Sequence, residues 1–319
     1  MCNCAALLKA IDAYLEKADN DLKDELAAAG FAEADKTIEA ISSMEDEVAA
    51  ALVAETELFT SAAAKAKDLE TFARDIWPKV KQNDALAKKL KGVFEEALSE
   101  LVPDFVETYI QRSDKELSIP RISKLTTGWI EEWSEDLADL MQLNSQTEIE
   151  TILETGLTNG DSIAVFTQNI LDSGIRDEYY KARRVSVTEV LRAHNVAQQE
   201  AFMQSPSVTG KLWRHTGSYR IAPRENHVAM DGQTVGKEEP FTMQGIDGNT
   251  YHPMYPIDPI LPAAESINCH CICEPVVDES ILGLSLEERQ ALQQQAIDEM
   301  DDDWEAELDA KNRAKAGIE

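Results

Sequence analysis

Three of the chain's five cysteines lie close together late in the sequence. In the stretch ESINCHCICEP they alternate with other residues, as Cys269, Cys271 and Cys273. If this stretch is extended, the three sulfurs lie on one face, because side chains alternate along a strand. Two thiolates one residue apart can converge on Zn²⁺, which usually takes four ligands. The spacing fits equally well three small buried side chains, because it lacks the paired C-x-x-C knuckles of a typical zinc site.

Two histidines from the preceding loops are the candidates to complete such a zinc site. His227 belongs to the stretch RENHVAMDGQTV, and His252 lies in the proline-rich stretch YHPMYPIDPILP. Asp231 follows His227 by four residues, so on a helical turn the two side chains share a face. The carboxylate could then share a metal or fix the tautomer of the imidazole. In the alternative interpretation Asp231 and Gly232 form a simple turn, and His227 is a packing residue.

No catalytic residue is predicted. A nucleophilic cysteine needs a base and an orienting group at one exposed thiol, and no local feature marks any cysteine as activated. The sequence has no P-loop, no G-x-G-x-x-G after a strand, no H-E-x-x-H and no G-x-S-x-G. We therefore expect a protein that is not an enzyme. A hydrolase that uses a zinc-bound water or a cysteine thiolate beside His227 is the alternative. Cys2 and Cys4 are expected to be incidental.

The residues before this Cys/His region are predicted to be helical. From residue 3 to about 204, apolar residues recur every three or four positions, and Ala, Leu, Glu and Lys dominate. Pro78, Pro103 and Pro120 are predicted helix boundaries, because proline lacks a backbone donor and clashes with the preceding turn. Residues 206–275 hold eight of the eleven prolines, which predicts a turn-rich segment. Short strands are predicted at GKLWRHT and CHCICEPVV.

A further helix is predicted near the end of the sequence. Ser285 and Glu288 have capping-box spacing at its start. From Asp298 to Asp309 there are eight acidic residues and no basic one. This run predicts a solvated, frayed tail, and a docking strip for a basic partner is the alternative.

These patterns predict a mainly α protein. An extended helical N-terminal region is followed by a small, loop-rich α+β Cys/His module and a C-terminal helix. The predicted segments are 1–120 for the N-terminal helical region, 121–204 for a second helical region, 205–280 for the module, and 281–319 for the acidic C-terminal helix or tail.

The formal net charge of −30 limits the partners of the protein. Like charge at this density repels nucleic acid, so only weak or indirect contact with DNA is expected. No run approaches ~18 consecutive apolar residues, so no membrane contact is expected. An odd number of cysteines without an export signal argues for reduced thiols or metal ligands rather than disulfides. These features predict a cytoplasmic origin.

The order of several motifs resembles the phage Mu protein F-like minor head proteins, which are also called head morphogenesis proteins of tailed phages. GLTNGDSIAVFTQNIL is followed by a long helix with a Thr-Glu pair, here Thr188 and Glu189. A Trp-containing strand, an Arg-x-x-His-x-x-x-Asp-Gly motif and an Asn-Cys-x-Cys motif come next. The resemblance covers about residues 150–276, and its last two motifs fall on Arg224, His227, Asp231, Gly232, Asn268, Cys269 and Cys271.

The resemblance implies a structural role in a virion. Such proteins are minor components of the procapsid, are associated with the portal and are needed for head morphogenesis. In some relatives the protein is packaged in the head or ejected with the DNA. The implied location is therefore the virion, after assembly in the host cytoplasm. The implied partner is the portal protein, with capsid or scaffold protein as further candidates. A protein-binding adaptor unrelated to phage is a third hypothesis.

Overall fold

The computed structural model describes residues 4–217 and 222–315, with the side chains of residues 16–173, 178–217 and 222–314. Cys2 and the side chain of Cys4 lie outside this part of the chain. The helices are α1 Cys4–Ala29, α2 Ala34–Ala63, α3 Leu69–Thr71, α4 Trp77–Val80, α5 Ala85–Ser113, α6 Lys124–Asn159, α7 Ile163–Gln204, α8 Glu225–Met230, α9 Ala263–Ser266, α10 Glu279–Leu282 and α11 Leu286–Lys315. A π-helical segment, Phe72–Ile76, joins α3 to α4.

The strands are short and lie late in the chain. They are β1 Val208–Arg214, β2 Thr234–Gly236, β3 Met243–Gln244, β4 Thr250–Tyr251 and β5 Ile272–Val277. The protein is therefore mainly α, with a small antiparallel β part and a final helix, as the sequence predicted. No helix among the described residues is long and apolar enough to cross a membrane.

Helix α5 runs through Pro103, which corrects the prediction that this proline ends a helix. Proline removes one backbone hydrogen bond and crowds the preceding turn. Val102 and Phe105 on either side are fully buried, so packing around the proline outweighs that cost. Pro120 lies between α5 and α6, where a boundary was predicted. Pro78 lies in the first turn of α4, a position that tolerates proline because no partner is available there for its missing donor.

The chain divides into two compact units. Unit 1 consists of Met1–Ile41, Glu100–Gly128 and Val187–Glu319, and unit 2 consists of Ser42–Ser99 and Trp129–Ser186. The four segments expected from the sequence stay a prediction.

Unit 2 has an aromatic core. Phe59, Phe72, Trp77 and Phe166 are all buried in one apolar cluster. The indole N–H of Trp77 donates to Glu150 at 3.1 Å, so the polar atom of this large side chain is satisfied.

Unit 1 contains the C-terminal half of α7, which is buried on every face over residues 191–198. His194 in this stretch stacks on Phe105 with the ring centroids 3.7 Å apart. Its Nε2 lies 2.8 Å from the hydroxyl of Thr37, and its Nδ1 lies 3.0 Å from the hydroxyl of Tyr109. Burial lowers the pKa of His194 to about 3. The imidazole is therefore a neutral core residue near pH 7.

A buried ion pair on the same helix fixes the proline-rich loop. Arg192 Nε donates to Glu189 at 2.9 Å, and both side chains are almost fully buried. Arg192 also donates to the carbonyl oxygen of Ile257. Ile257 has a φ of 63°, which is costly for a β-branched residue. Glu189 of the Thr-Glu pair that supported the resemblance thus helps to hold the loop against α7 through Arg192.

The β part of unit 1 is a three-stranded antiparallel sheet in the order β2-β1-β5. Its register places Trp213 of β1 opposite Cys273 of β5, and Leu212 of β1 opposite Thr234 of β2. Strands β3 and β4 form a separate hairpin. Both predicted strands are present, but β5 begins at Ile272, three residues later than the predicted start.

Helix α11 begins with the predicted capping box. The Ser285 backbone N–H donates to the Glu288 carboxylate at 2.9 Å, and the Glu288 N–H donates to the Ser285 hydroxyl at 3.3 Å. Two orphan donors at the helix start are satisfied in this way.

The acidic part of α11 is helical as far as Lys315, which corrects the expectation of a frayed tail. Asp301 pairs with Arg121 at 2.7 Å. The indole of Trp304 lies so close to the Cα of Gly128 that any side chain there would collide with it. Packing within unit 1 therefore keeps this charged helix in place.

Candidate metal centre

Two short segments bring His227 next to the cysteines. Helix α8 places His227 on its buried face. The other segment is a turn in which the Cys269 N–H donates to the carbonyl of Ser266 at 3.2 Å. Asn268 in this turn has a φ of 57°, a left-handed conformation that asparagine tolerates better than most residues. Cys269 and Cys271 therefore reach the site from irregular backbone just before β5.

His227, Cys269 and Cys271 form a compact buried group. The Nδ1 atom of His227 lies 3.5 Å from the sulfur of Cys269 and 3.6 Å from the sulfur of Cys271. All three ligand atoms lie within 4.8 Å of one another. Each residue is at most 3% exposed. One imidazole and two thiols at this separation can hold a metal ion.

Glu265 of α9 sets the orientation of the imidazole. Its Oε2 lies 2.9 Å from Nε2 of His227, and the carboxylate is fully buried. It also accepts from the backbone N–H of Ile246 at 2.7 Å and from the amide of Asn226 at 3.1 Å. An ionised carboxylate only accepts, so Nε2 of His227 must carry the proton. The lone pair of Nδ1 then points to the sulfurs.

The charges of this group depend on one another. Burial acts to raise the pKa of Glu265, but hydrogen bonds from Ile246, Asn226 and His227 lower it overall. Burial acts to lower the pKa of His227, but contact with Cys269 and Glu265 outweighs burial, so the pKa is raised overall.

The two sulfurs shift each other's pKa in opposite directions. Contact with Cys271 and then His227 holds the pKa of Cys269 well below its usual range. Its contact with Cys269, together with burial, raises the pKa of Cys271. One thiolate therefore forms readily beside His227, which is the form that a metal binds.

A small cavity adjoins these atoms. It has a volume of about 30 Å³, and His215, Arg224, His227, Cys269, His270 and Cys271 are among its lining residues. As bounded by the described residues, such a volume holds a single water or ion and no larger molecule. The indole of Trp213 lies near Cys271 and acts to lower the pKa of that thiol.

His252 and Cys273 lie apart from this group. His252 is exposed, and its Nδ1 lies 3.5 Å from the hydroxyl of Thr242. The buried Cys273 is not a member of the compact group, and burial raises its pKa to about 12. Three sulfurs on one face were expected because the strand was predicted to begin at Cys269. Strand β5 begins only at Ile272, so Cys269 and Cys271 lie on irregular backbone before it and Cys273 lies within it.

The remaining motif residues hold the segments that carry the site. Arg224 donates to the carbonyl of Ile267 at 2.5 Å, next to the turn with the cysteines. Asp231 accepts from the backbone N–H of His215 at 3.0 Å and is not a member of the compact group. Gly232 has a φ of 82°, and its N–H donates to the carbonyl of Trp213 at 2.9 Å.

Sequence reasoning did not identify Glu265 or His215. Glu265 lies four residues before Cys269, and its role depends on a helix of only four residues that had no periodic signal. His215 lies within the predicted strand GKLWRHT but directly follows β1 as observed, and its Nδ1 lies 3.5 Å from the sulfur of Cys271. Its position two residues after the buried Trp213 was the available clue.

Comparison with known proteins identifies relatives of the chain. The family model described as Phage Mu protein F like protein matches residues 147–274, a range that contains every residue of the metal centre. The chain is 36% identical over 218 residues to YqbB, an uncharacterized protein of Bacillus subtilis (strain 168). This alignment covers 68% of the chain and 70% of YqbB. No solved structure matches the chain. The ordered motifs, the extent of the relationship to YqbB and the family match together show that the chain belongs to the phage Mu protein F-like family.

Proposed function

We propose that this protein is a minor head protein that associates with the portal of a tailed phage and is needed for head morphogenesis. Membership of the phage Mu protein F-like family is the observation that carries this proposal. The proposed partner is the portal protein, and capsid or scaffold protein are further candidates. The net charge of −30 limits adhesion to packaged DNA, so contact with the genome is weak or indirect.

Deletion of the gene in the phage that encodes this chain tests the head assignment. Mass spectrometry of purified proheads and virions, with chemical cross-linking, should find the chain in particles and joined to the portal protein. The deletion should reduce the yield of filled heads, and the wild-type gene supplied in trans should restore it. Normal yield together with absence of the chain from particles would refute the assignment. Cross-links to capsid or scaffold protein without any to portal would refute the portal contact alone.

The buried Cys/His group binds Zn²⁺ in this proposal and closes a module that is rich in loops. Thiolate sulfur and imidazole nitrogen are the ligands that zinc prefers in structural sites. The Nδ1 lone pair of His227 can accept one S–H hydrogen bond only, yet two sulfurs lie at almost equal distances from it. A metal between the three atoms accounts for this arrangement. The hydrogen bond from His227 to Glu265 is the usual outer support of a zinc-bound histidine.

Elemental analysis of the purified chain tests for zinc. About one zinc per chain is expected, and Cys269→Ser and Cys271→Ser should each lose the metal and melt at lower temperature. Cys273→Ser is the matched control, because it changes a buried cysteine outside the group and should retain the metal. Absence of metal, with both variants melting like the parent, would exclude the zinc site.

A cysteine-dependent hydrolase is the second candidate. Cys269, His227 and Glu265 are aligned as nucleophile, base and orienting acid would be. Their burial argues against this activity, because the adjoining cavity of about 30 Å³ does not admit a peptide or nucleotide. Iodoacetamide labelling of the native protein as purified, without removal of metal, separates the two functions. Rapid alkylation of Cys269 would support the hydrolase, and protection until unfolding supports the closed site.

A further inference from the structure

The group of His227, Cys269 and Cys271 supplies three ligands, whereas structural zinc usually has four. Three further histidines of unit 1 are close enough in sequence to be considered. His252 is exposed and contacts Thr242. His270 turns its Nδ1 towards Glu25, at 3.9 Å from that carboxylate. His215 has its Nδ1 at 3.5 Å from the sulfur of Cys271 and lines the same cavity as the other ligands.

The three sulfur–nitrogen distances agree with tetrahedral coordination. A zinc–sulfur bond of about 2.3 Å and a zinc–nitrogen bond of about 2.0–2.1 Å at a tetrahedral angle place sulfur and nitrogen about 3.5 Å apart. The distances are 3.5 Å from Cys269 to His227, 3.6 Å from Cys271 to His227, and 3.5 Å from Cys271 to His215. They correspond to three of the six edges of a tetrahedron. His215 lies outside the group whose ligand atoms are all within 4.8 Å of one another, so its ring has to move closer to Cys269 and His227 to complete the other edges.

The backbone at His215 is held by the residues that surround the site. Its N–H donates to Asp231 at 3.0 Å, and Asp231 belongs to the motif that also contains His227. The hydroxyl of the next residue, Thr216, donates to the carbonyl of His270 at 2.6 Å, between the two cysteines. The segment after β1 is therefore fixed to both of the segments that carry the other three ligands.

We infer that His215 is the fourth ligand, so that two imidazoles and two thiolates enclose Zn²⁺ with no coordination position left open. This inference rests on the zinc proposal above and extends it. A site with four protein ligands is structural, because a catalytic zinc keeps one position for water or substrate. The metal then joins the end of β1, helix α8 and the turn before β5, and Asp231 is a positioning residue for the fourth ligand.

Cobalt substitution in the full-length protein tests this inference. Co²⁺ alone, added to metal-free protein, should give the intense visible bands of a tetrahedral site in the wild type. In His215→Ala a water should enter, so these bands should weaken and the affinity for Zn²⁺ should fall by roughly 100-fold or more. His252→Ala is the matched control and should retain the wild-type spectrum and affinity. His215→Cys should restore a tetrahedral spectrum, with sulfur-to-cobalt absorption increased by about half, because three thiolates replace two.

X-ray absorption at the zinc edge gives an independent readout, with two sulfur and two nitrogen ligands expected in the wild type. The assignment of His215 would be overturned if His215→Ala kept the wild-type cobalt spectrum and zinc affinity. It would also be overturned if His252→Ala or His270→Ala, and not His215→Ala, lost the tetrahedral spectrum and the affinity. Either result would leave zinc in the parent protein and the zinc proposal intact. A wild-type chain that binds neither Zn²⁺ nor Co²⁺ would refute the zinc proposal and this inference together. Circular dichroism of the metal-free variants establishes that each one folds.

Discussion

Glu265 accepts a hydrogen bond from Nε2 of His227 at 2.9 Å, and this bond turns the Nδ1 atom of the imidazole towards Cys269 and Cys271. The relationship joins two segments that are 38 residues apart in sequence. A carboxylate in this place fixes the tautomer before any ligand arrives, and it makes the histidine a stronger base towards a metal.

Substitution of Glu265 should therefore weaken metal binding without removing a ligand. In Glu265→Gln the side chain keeps its size but loses its charge, and the affinity for Zn²⁺ should fall roughly 10–100-fold. Competition with a zinc chelator measures this change. Glu225→Gln is the control, because Glu225 lies on the same short helix as His227 but is exposed. Equal affinities of the two variants would show that the hydrogen bond does not support the site.

Two glycine-to-alanine substitutions in helices should have opposite effects on stability. In Gly128→Ala the new methyl group collides with the indole of Trp304, which should cost about 1–3 kcal/mol. Gly92 of α5 is exposed with open space around it, so Gly92→Ala should gain about 0.5–1 kcal/mol through helix propensity. Urea unfolding measures both changes. If proteolysis of α11 is faster in Gly128→Ala and not in Gly92→Ala, the lost stability comes from weaker packing of that helix. If both substitutions change the free energy of unfolding in the same direction, the contact between Gly128 and Trp304 does not have the proposed effect.

His194 should make unit 1 sensitive to acid. Burial, followed by the charge of Arg112, lowers the pKa of His194 from 6.5 to about 3. Between pH 6.5 and about pH 3 the unfolded chain binds a proton at His194 that the folded chain does not. The contribution of neutral His194 to the free energy of unfolding is therefore fully present above pH 6.5 and is lost as the pH falls towards 3. The slope reaches at most about 1.4 kcal/mol per pH unit. His194→Gln should show a shallower loss from pH 7 to pH 4 in urea unfolding, and the exposed His252→Gln controls for removal of one histidine. Parallel curves for His194→Gln and the wild type would contradict this account.

Glu55 should have the opposite effect in unit 2. Burial raises the pKa of Glu55 from 4.5 to about 7. The hydrogen bond from Ser145 and the charge of Lys181 act to lower this pKa, and the charges of Glu148 and Glu178 act to raise it. The folded state favours the neutral acid, so stability is fully present below about pH 4.5 and is lost as the pH rises through 7.

Thermal melts of Glu55→Gln at pH 5 and pH 9 test this expectation. The variant stays neutral, so it should melt above the wild type at pH 9 and close to it at pH 5. The exposed Glu57→Gln is the matched control on the same helix and should follow the wild type. A difference of equal size at both pH values would show that ionisation of Glu55 does not determine the effect.

Removal of Arg192 should be costly, because Glu189 beside it is almost fully buried. In Arg192→Met the buried carboxylate loses the counter-charge of Arg192, and a loss of about 3–5 kcal/mol is expected in urea unfolding. Lys124→Met is the control, since its ion pair with Glu305 is about half exposed and should contribute less than about 1 kcal/mol. Similar losses in the two variants would argue against a special role for the buried pair.

The sequence was most informative where a local rule governs the structure. Ser285 and Glu288 form the predicted capping box because both partners belong to one helical turn. Pro103 was misjudged, because the propensity of one residue does not include the burial of Phe105 and its neighbours. The zinc candidates His227, Cys269 and Cys271 were found from residue type. His252 was named as a candidate from its loop and His215 was not considered, because loop paths depend on distant contacts such as that of Asp231 with His215.

The division of the chain into units has a consequence for its synthesis. Unit 2 ends at Ser186, whereas unit 1 also requires Val187 and the residues that follow it. A ribosome synthesises every residue of unit 2 before it reaches Val187–Glu319, the third and longest segment of unit 1. The segments of unit 1 made first, which include Phe31 and Phe105, must therefore wait with apolar surface uncovered until α7 and α11 emerge. Growing chains would be most exposed to aggregation and to chaperone binding during this interval.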